Sequence, residues 1–244
     1  MTELTPSADV QPRFPNLLQR MVGVIFSPRS TYQAIAKRPV ILGPLAVVLV
    51  LSAGVTSWLM NSETGQRMLT AGFEQQMREA EANGQDISPE QRQQSRMIVQ
   101  IIGKVSAVAA VVVTPVLIAI LAAILMAILN AFYGGEASYR HVYSIVTHSW
   151  FIFGIAGLVT TPLMVAKQEM SSPSTLAVLL PMLPDDSFVK HFLGAIDLVW
   201  IWVLINLAIG LAVLYKRKTG PLATSLLVTY GVIALVIATA RSVF

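Results

Sequence analysis

The chain has 244 residues, of which 55% are hydrophobic and 12% charged, with a formal net charge of +4 and a mean hydropathy of +0.66. That balance excludes a soluble globular domain, in which about 25% of residues are charged. The absence of cysteine removes disulfides, thiolate catalysis and cysteine metal sites together.

Met1 to Arg13 is polar and proline-bearing and reads as a flexible tail. The first membrane-length run starts only at Ile41, so no cleavable signal peptide is expected. Between them, Asn16 to Phe26 and Ser27 to Lys37 each open on a capping residue, the second as Ser27-Pro28. Leu17, Leu18, Met21, Val22 and Val24 supply apolar surface there, and Arg20, Arg29, Lys37 and Arg38 supply charge. Two readings stay open: amphipathic helices lying on an anionic leaflet, or helices packed against the ends of a bundle. Residues 1–40 are thus set apart from a membrane domain over 41–244.

Five apolar runs follow: Ile41 to Met60, Val105 to Phe132, Val142 to Ala166, Phe192 to Tyr215 and Pro221 to Ala240. Crossing the hydrocarbon takes about 20 apolar residues, and each run is long enough. The expected fold is all-α, a polytopic integral membrane protein with five transmembrane helices. After the first run, Phe73 to Glu81 is rich in helix formers and Asn83-Gly84 is a helix stop. Ser88, Pro89 and Gln91 then form a capping signal for a helix that continues to near Asn130. Such a helix holds about 40 residues and measures about 60 Å. Pro115 inside it predicts a kink. Residues 61–100 therefore read as an extramembrane helical hairpin, either a docking surface or a solvated connector. Between the third and fourth runs, Leu176 to Leu183 is a short apolar stretch bounded by Ser172-Pro173, Pro184 and Asp185-Asp186. It is too short to span and suits a re-entrant or surface-lying helix. A pore-lining loop is the sharper reading, but no charged ring or inverted repeat accompanies it.

With a cytoplasmic amino terminus, five spans place Arg13, Arg20, Arg29, Lys37, Arg38, Arg140, Lys216, Arg217 and Lys218 inside, nine of the 17 basic residues. The total discriminates little; the residues that decide are Lys37, Arg38 and the Lys216-Arg217-Lys218 cluster, which stand next to span ends in short segments. The expected location is a bacterial inner membrane with the amino terminus in the cytoplasm.

Gly23-Val24-Ile25-Phe26-Ser27-Pro28-Arg29, then Ala34-Ile35-Ala36-Lys37-Arg38-Pro39, and Gly134-Gly135-Glu136-Ala137-Ser138 after the second run resemble the Yip-type membrane-domain family, from about Leu17 to about Ala240. The resemblance implies a bacterial relative of the Rab-interacting Golgi proteins, a five-helix membrane protein without known catalytic chemistry. No residue here points to a GTPase contact, so that partner is not carried over.

Ionisable and amide side chains inside apolar runs are costly and single out His148, Asp197 and Asn206. Asp197 stands near the outer end of the fourth run, facing water or headgroups or paired with Lys104 or Lys190. His148 sits about two turns into the third run, where a hydrogen bond to a neighbouring helix is the plain reading. Depth separates those two, and Asn206 is the better partner for His148. His141 and His148 are about 10 Å apart along one helix with no carboxylate at ligand spacing, so zinc is rejected and no cofactor is expected. Gly-x-Ser-x-Gly, P-loop and His-Glu-x-x-His signatures are all missing from the sequence. The basic residues flank membrane runs without an aromatic-basic stripe, which argues against nucleic acid.

Packing signals are clearer. Ala119, Ala123 and Ala127 recur at four-residue spacing in the second run, as do Ala208 and Ala212 in the fourth and Ala234 and Ala238 in the fifth. Small residues let helices approach closely within one chain or between copies. The leading expectation is a non-enzymatic scaffold or membrane-organising protein whose partners are the lipid bilayer and a membrane protein or a second copy. The alternative is a small-solute or ion transporter using the 176–183 segment, His148 and Asp197.

Overall fold

The computed structural model describes residues 14–135, 137–169, 171–184 and 187–243. The tail before Phe14, Glu136 of the glycine motif and the Asp185-Asp186 pair lie outside the described residues. Every extended regular element among the described residues is helical.

Helix α1, Leu17–Phe26, starts on a capping box in which Asn16 and Gln19 exchange side-chain and backbone hydrogen bonds, both 2.9 Å. Helix α2, Pro28–Lys37, begins with proline at its first turn and returns to Arg38. Together they make a short N-terminal hairpin. Helix α3, Leu42–Asn61, is followed by α4, Glu63–Ala82, whose start is capped by Ser62. Helix α5, Pro89–Tyr133, opens on the expected Ser88/Gln91 capping box and runs 45 residues, about 68 Å. It passes through Pro115 without a break and stops at Gly134, whose φ of 59° is a left-handed cap that glycine supplies at no steric cost. Helix α6 is Tyr139–Lys167.

The fourth apolar run departs from expectation. A single helix from Phe192 to Tyr215 is replaced by α7, Phe188–Ala195, and α8, Leu198–Leu214, with extended backbone at Ile196 and Asp197 between them. The physical reason is local: Asp197 turns its carboxylate onto the Val199 N–H as a helix cap, and the backbone on either side pairs with residues 174–176. Before this break, Leu176–Leu179 forms one 3-10 turn that leaves Leu179 and Met182 exposed. Helix α9, Thr219–Val243, closes the chain.

Four helices, α3, α5, α6 and α9, are long and apolar enough to cross a membrane; α8, at 17 residues, is shorter. Helix α3 packs between α5 and α6, α6 packs on α8, and α9 lies on α7 and α8. Gly154 and Gly157 let α6 press against α3, since a Cβ at either position would stand 2.8 Å from Leu51 and 2.9 Å from Val55 respectively. The core runs through Val48, Ile118, Ile145, Ile152 and Leu211. Trp150, Phe153, Trp200 and Tyr230 form a continuous aromatic stack from α6 across α8 to α9, so Trp150 and Trp200 pack helix to helix. The outward faces of α5 and α9, including Val112, Val116, Val228 and Val236, are exposed and apolar, a surface matched to hydrocarbon. Helix α4 lies antiparallel to the polar start of α5, joined by the Glu81–Arg92 ion pair.

Candidate functional site

The N-terminal hairpin is built into the bundle, with α2 seated on α8 and both its helices against α6. Its anchor is Tyr32, fully buried between α6 and α8. The Asn206 side-chain amide donates to the Val24 carbonyl at 2.7 Å, which fixes the orientation of the amide and turns its oxygen toward Tyr32. Tyr32 donates to that oxygen at 2.6 Å, so the Ser149 hydroxyl, 2.7 Å away, must donate to the phenol oxygen. Each polar atom in this chain of bonds has a partner. Burial pushes the Tyr32 phenol up from its ordinary value, which keeps it neutral and a donor.

His148 lies beside this network and is also fully buried, but it does not pair with Asn206. Its Nδ1 is 2.7 Å from the Ser144 carbonyl, one turn back on α6. A carbonyl only accepts, so Nδ1 carries the proton and Nε2 is a bare acceptor with no hydrogen-bond partner among the described residues. The Nε–H of Arg20 on α1 is likewise buried, without a partner among the described residues.

Asp197 belongs to a different place. It accepts from Ser172 at 2.6 Å, from Ser174 at 2.8 Å and from the Val199 N–H at 2.7 Å, and its own N–H donates to Tyr230 at 2.8 Å. The carboxylate is a staple that holds the 172–176 loop to the start of α8, where the sequence left open exposure to water or headgroups and pairing with Lys104 or Lys190. A cavity of about 130 Å³ adjoins it, lined by Phe153, Gly157, Ser172, Ser174 and Trp200. The hydrogen bonds of His148 and Asp197 go to separate partners, and none joins the two. Among the described residues, no group of three His, Asp or Glu side chains could hold a metal ion.

The small-residue faces divide in two. Ala208 and Ala212 of α8 and Ala234 and Ala238 of α9 are buried within the chain. On α5 the buried stripe is Ile118, Ala122, Leu125 and Leu129, whereas Ala123 and Ala127 are exposed and Ala119 is half-buried.

The Yip1 domain model matches residues 22–240. The chain belongs to the Yip1 domain family. Together with four apolar helices of membrane-crossing length, this makes it a membrane protein. No curated protein and no solved structure matches it. The Yip1 match begins at Val22, so it takes in the second half of α1 and all of α2, including Val24 and Tyr32.

Sequence reasoning missed Tyr32, which is one aromatic in a polar-looking helix, and missed the paired Gly154 and Gly157. A signal existed for the glycines, because small residues three apart in an apolar run mark close helix approach. None existed for Tyr32, since its partners are 117 and 174 residues away along the chain.

Proposed function

We propose that this Yip1 domain protein is a non-enzymatic, membrane-organising component that associates with a second membrane protein or another copy of itself through α5. One observation carries the reading: Ala123 and Ala127 present a small-residue stripe outward, on a helix whose own packing uses the opposite face. Small residues in lipid gain from close helix contact, and here that contact is left unused by the chain. In this reading α8 completes a fifth crossing, since its 17 residues reach the lower end of the range that spans hydrocarbon, about 17 to 25 residues. The α4–α5 hairpin then stands in water. The amino terminus lies in the cytoplasm of a bacterial inner membrane, beside Lys37, Arg38 and Lys216 to Lys218. The transport alternative draws less support, because Asp197 is engaged by three donors and Asn206 by two partners.

The test is Ala123→Trp. Its outward position predicts unchanged folding and thermal stability, with loss of the co-purifying partner or of the dimer in native-membrane nanodiscs. Retention of the same association would refute the α5 assignment.

A further inference from the structure

The N-terminal hairpin carries a cation that no acid among the described residues neutralises. Residues 14–62 contain Arg20, Arg29, Lys37 and Arg38 and no acid at all. Arg20 is only 5% exposed, and its guanidinium makes one hydrogen bond, from Nη1 to the Pro15 carbonyl at 2.6 Å. Its Nε is buried and has no partner among the described residues. Arg38 approaches from the end of α2, and both guanidiniums stack on Phe14, 5.1 and 5.4 Å from the ring centroid. Burial, with the Arg38 charge added to it, lowers the Arg20 pKa from the usual guanidinium value. Two like charges on one ring at the edge of a bundle repel, and a buried guanidinium without an anion is costly. The described ion pairs do not relieve this, since all three lie on α4 and the start of α5.

The place matters as much as the charge. Arg20 and Arg38 meet at the open end of the hairpin, where α1 begins and α2 ends, and Leu17 of that end touches Gly43 at the start of α3. Helix α3, long and apolar enough to cross a membrane, begins beside this end at Leu42, which would bring headgroup phosphates within reach if it spans. The α1 amino terminus, which has no acid in its first turn, adds positive potential at the same end.

We infer that Arg20, Arg38 and the Phe14 ring form a binding site for a phosphate-type oxyanion, supplied by an anionic lipid headgroup or by free phosphate. Paired guanidiniums suit it because each offers parallel N–H donors to neighbouring phosphate oxygens. The Phe14 ring holds both forks in place, so little side-chain freedom is lost on binding.

Native mass spectrometry of the full chain, released from mixed phosphatidylcholine and phosphatidylglycerol micelles, reads the site. The wild type is expected to retain one phosphatidylglycerol in preference to phosphatidylcholine. Arg38→Gln and Arg20→Gln are each expected to weaken that retention about tenfold, the effect of losing a charge-assisted hydrogen bond. Lys216→Gln, a basic residue on another loop, is expected to leave it unchanged. Arg38 is exposed, so its variant carries the test if Arg20→Gln does not fold. Competition by inorganic phosphate would identify a free anion as the ligand, and no competition would identify the lipid; either fits the site. Equal retention in wild type and Arg38→Gln overturns the proposal, and so does equal loss in Lys216→Gln, which would mean diffuse surface charge. Tighter lipid binding by Asp9→Asn also overturns it, by showing that the tail is the counter-ion.

Discussion

Two helical hairpins flank the spans and differ in how they are held. The α1–α2 hairpin buries Met21, Val24, Tyr32 and Ile35 and sends a hydrogen-bonded network into α6 and α8. The α4–α5 hairpin holds its polar residues in the open, with ion pairs at Glu63–Arg67, Glu74–Arg78 and Glu81–Arg92 whose side chains are about 37% to 82% exposed. Helices of modest amphipathicity can therefore become core or appendage. The difference is whether a few large side chains find matched partners on the spans. Buried, satisfied bonds specify one docking geometry, whereas exposed pairs are screened and specify little.

The largest expected effect is at Tyr32. Tyr32→Ala should destabilise the protein by about 4 kcal/mol through the cavity it leaves, and Tyr32→Phe by about 1 to 3 kcal/mol through the stranded Asn206 oxygen. Both are read by thermal unfolding in detergent. The phenol's raised pKa adds a pH signature. Between the unfolded value of about 10 and the higher folded value, the folded state keeps a proton that the unfolded state has lost, so stability falls as pH rises. The stability gap between wild type and Tyr32→Phe should be full below about pH 10 and shrink above it. A gap that widened instead would mean that the phenol is not the donor to Asn206.

Asp197 should rank next. Asp197→Ala removes the α8 cap and the acceptor of two serine hydroxyls, for an expected loss of about 2 to 3 kcal/mol. Limited proteolysis should then cut near residues 172–176 faster than in the wild type. Unchanged cleavage would show that the loop is held without the carboxylate. The smallest effect belongs to the other hairpin: Arg92→Gln should cost at most about 1 kcal/mol and lose even that at high salt. A salt-independent loss of several kcal/mol there would erase the contrast between the hairpins.

Much of this architecture can be read in the amino-acid order. The Ser88, Pro89 and Gln91 signal and the Asn83-Gly84 stop are found where they are expected, because capping is a local competition for backbone hydrogen bonds. The break at Ile196 and Asp197 was hidden by the apolar run around it, although an aspartate ahead of Leu198 to Leu214 is itself a cap signal. Asn206 is recognisable as a polar residue that joins helices, but His148 was the wrong partner to infer from depth. Depth compares positions along spans, and Tyr32 enters from a hairpin outside them. The outward turn of Ala123 and Ala127 is equally invisible in sequence, since a stripe at four-residue spacing has the same pattern on either face.

The central claim, that α5 offers an unused contact face, is tested most directly by single cysteines, because the chain has none of its own. Cysteine is placed at Ala127 on the small-residue stripe, at Val112 on the exposed β-branched face and at buried Ala122, and each is cross-linked in native membranes. The account predicts a specific cross-linked product at position 127 well above those at 112 and 122. Equal cross-linking at 127 and 112 would contradict it, leaving α5 a lipid-facing helix with no preferred partner.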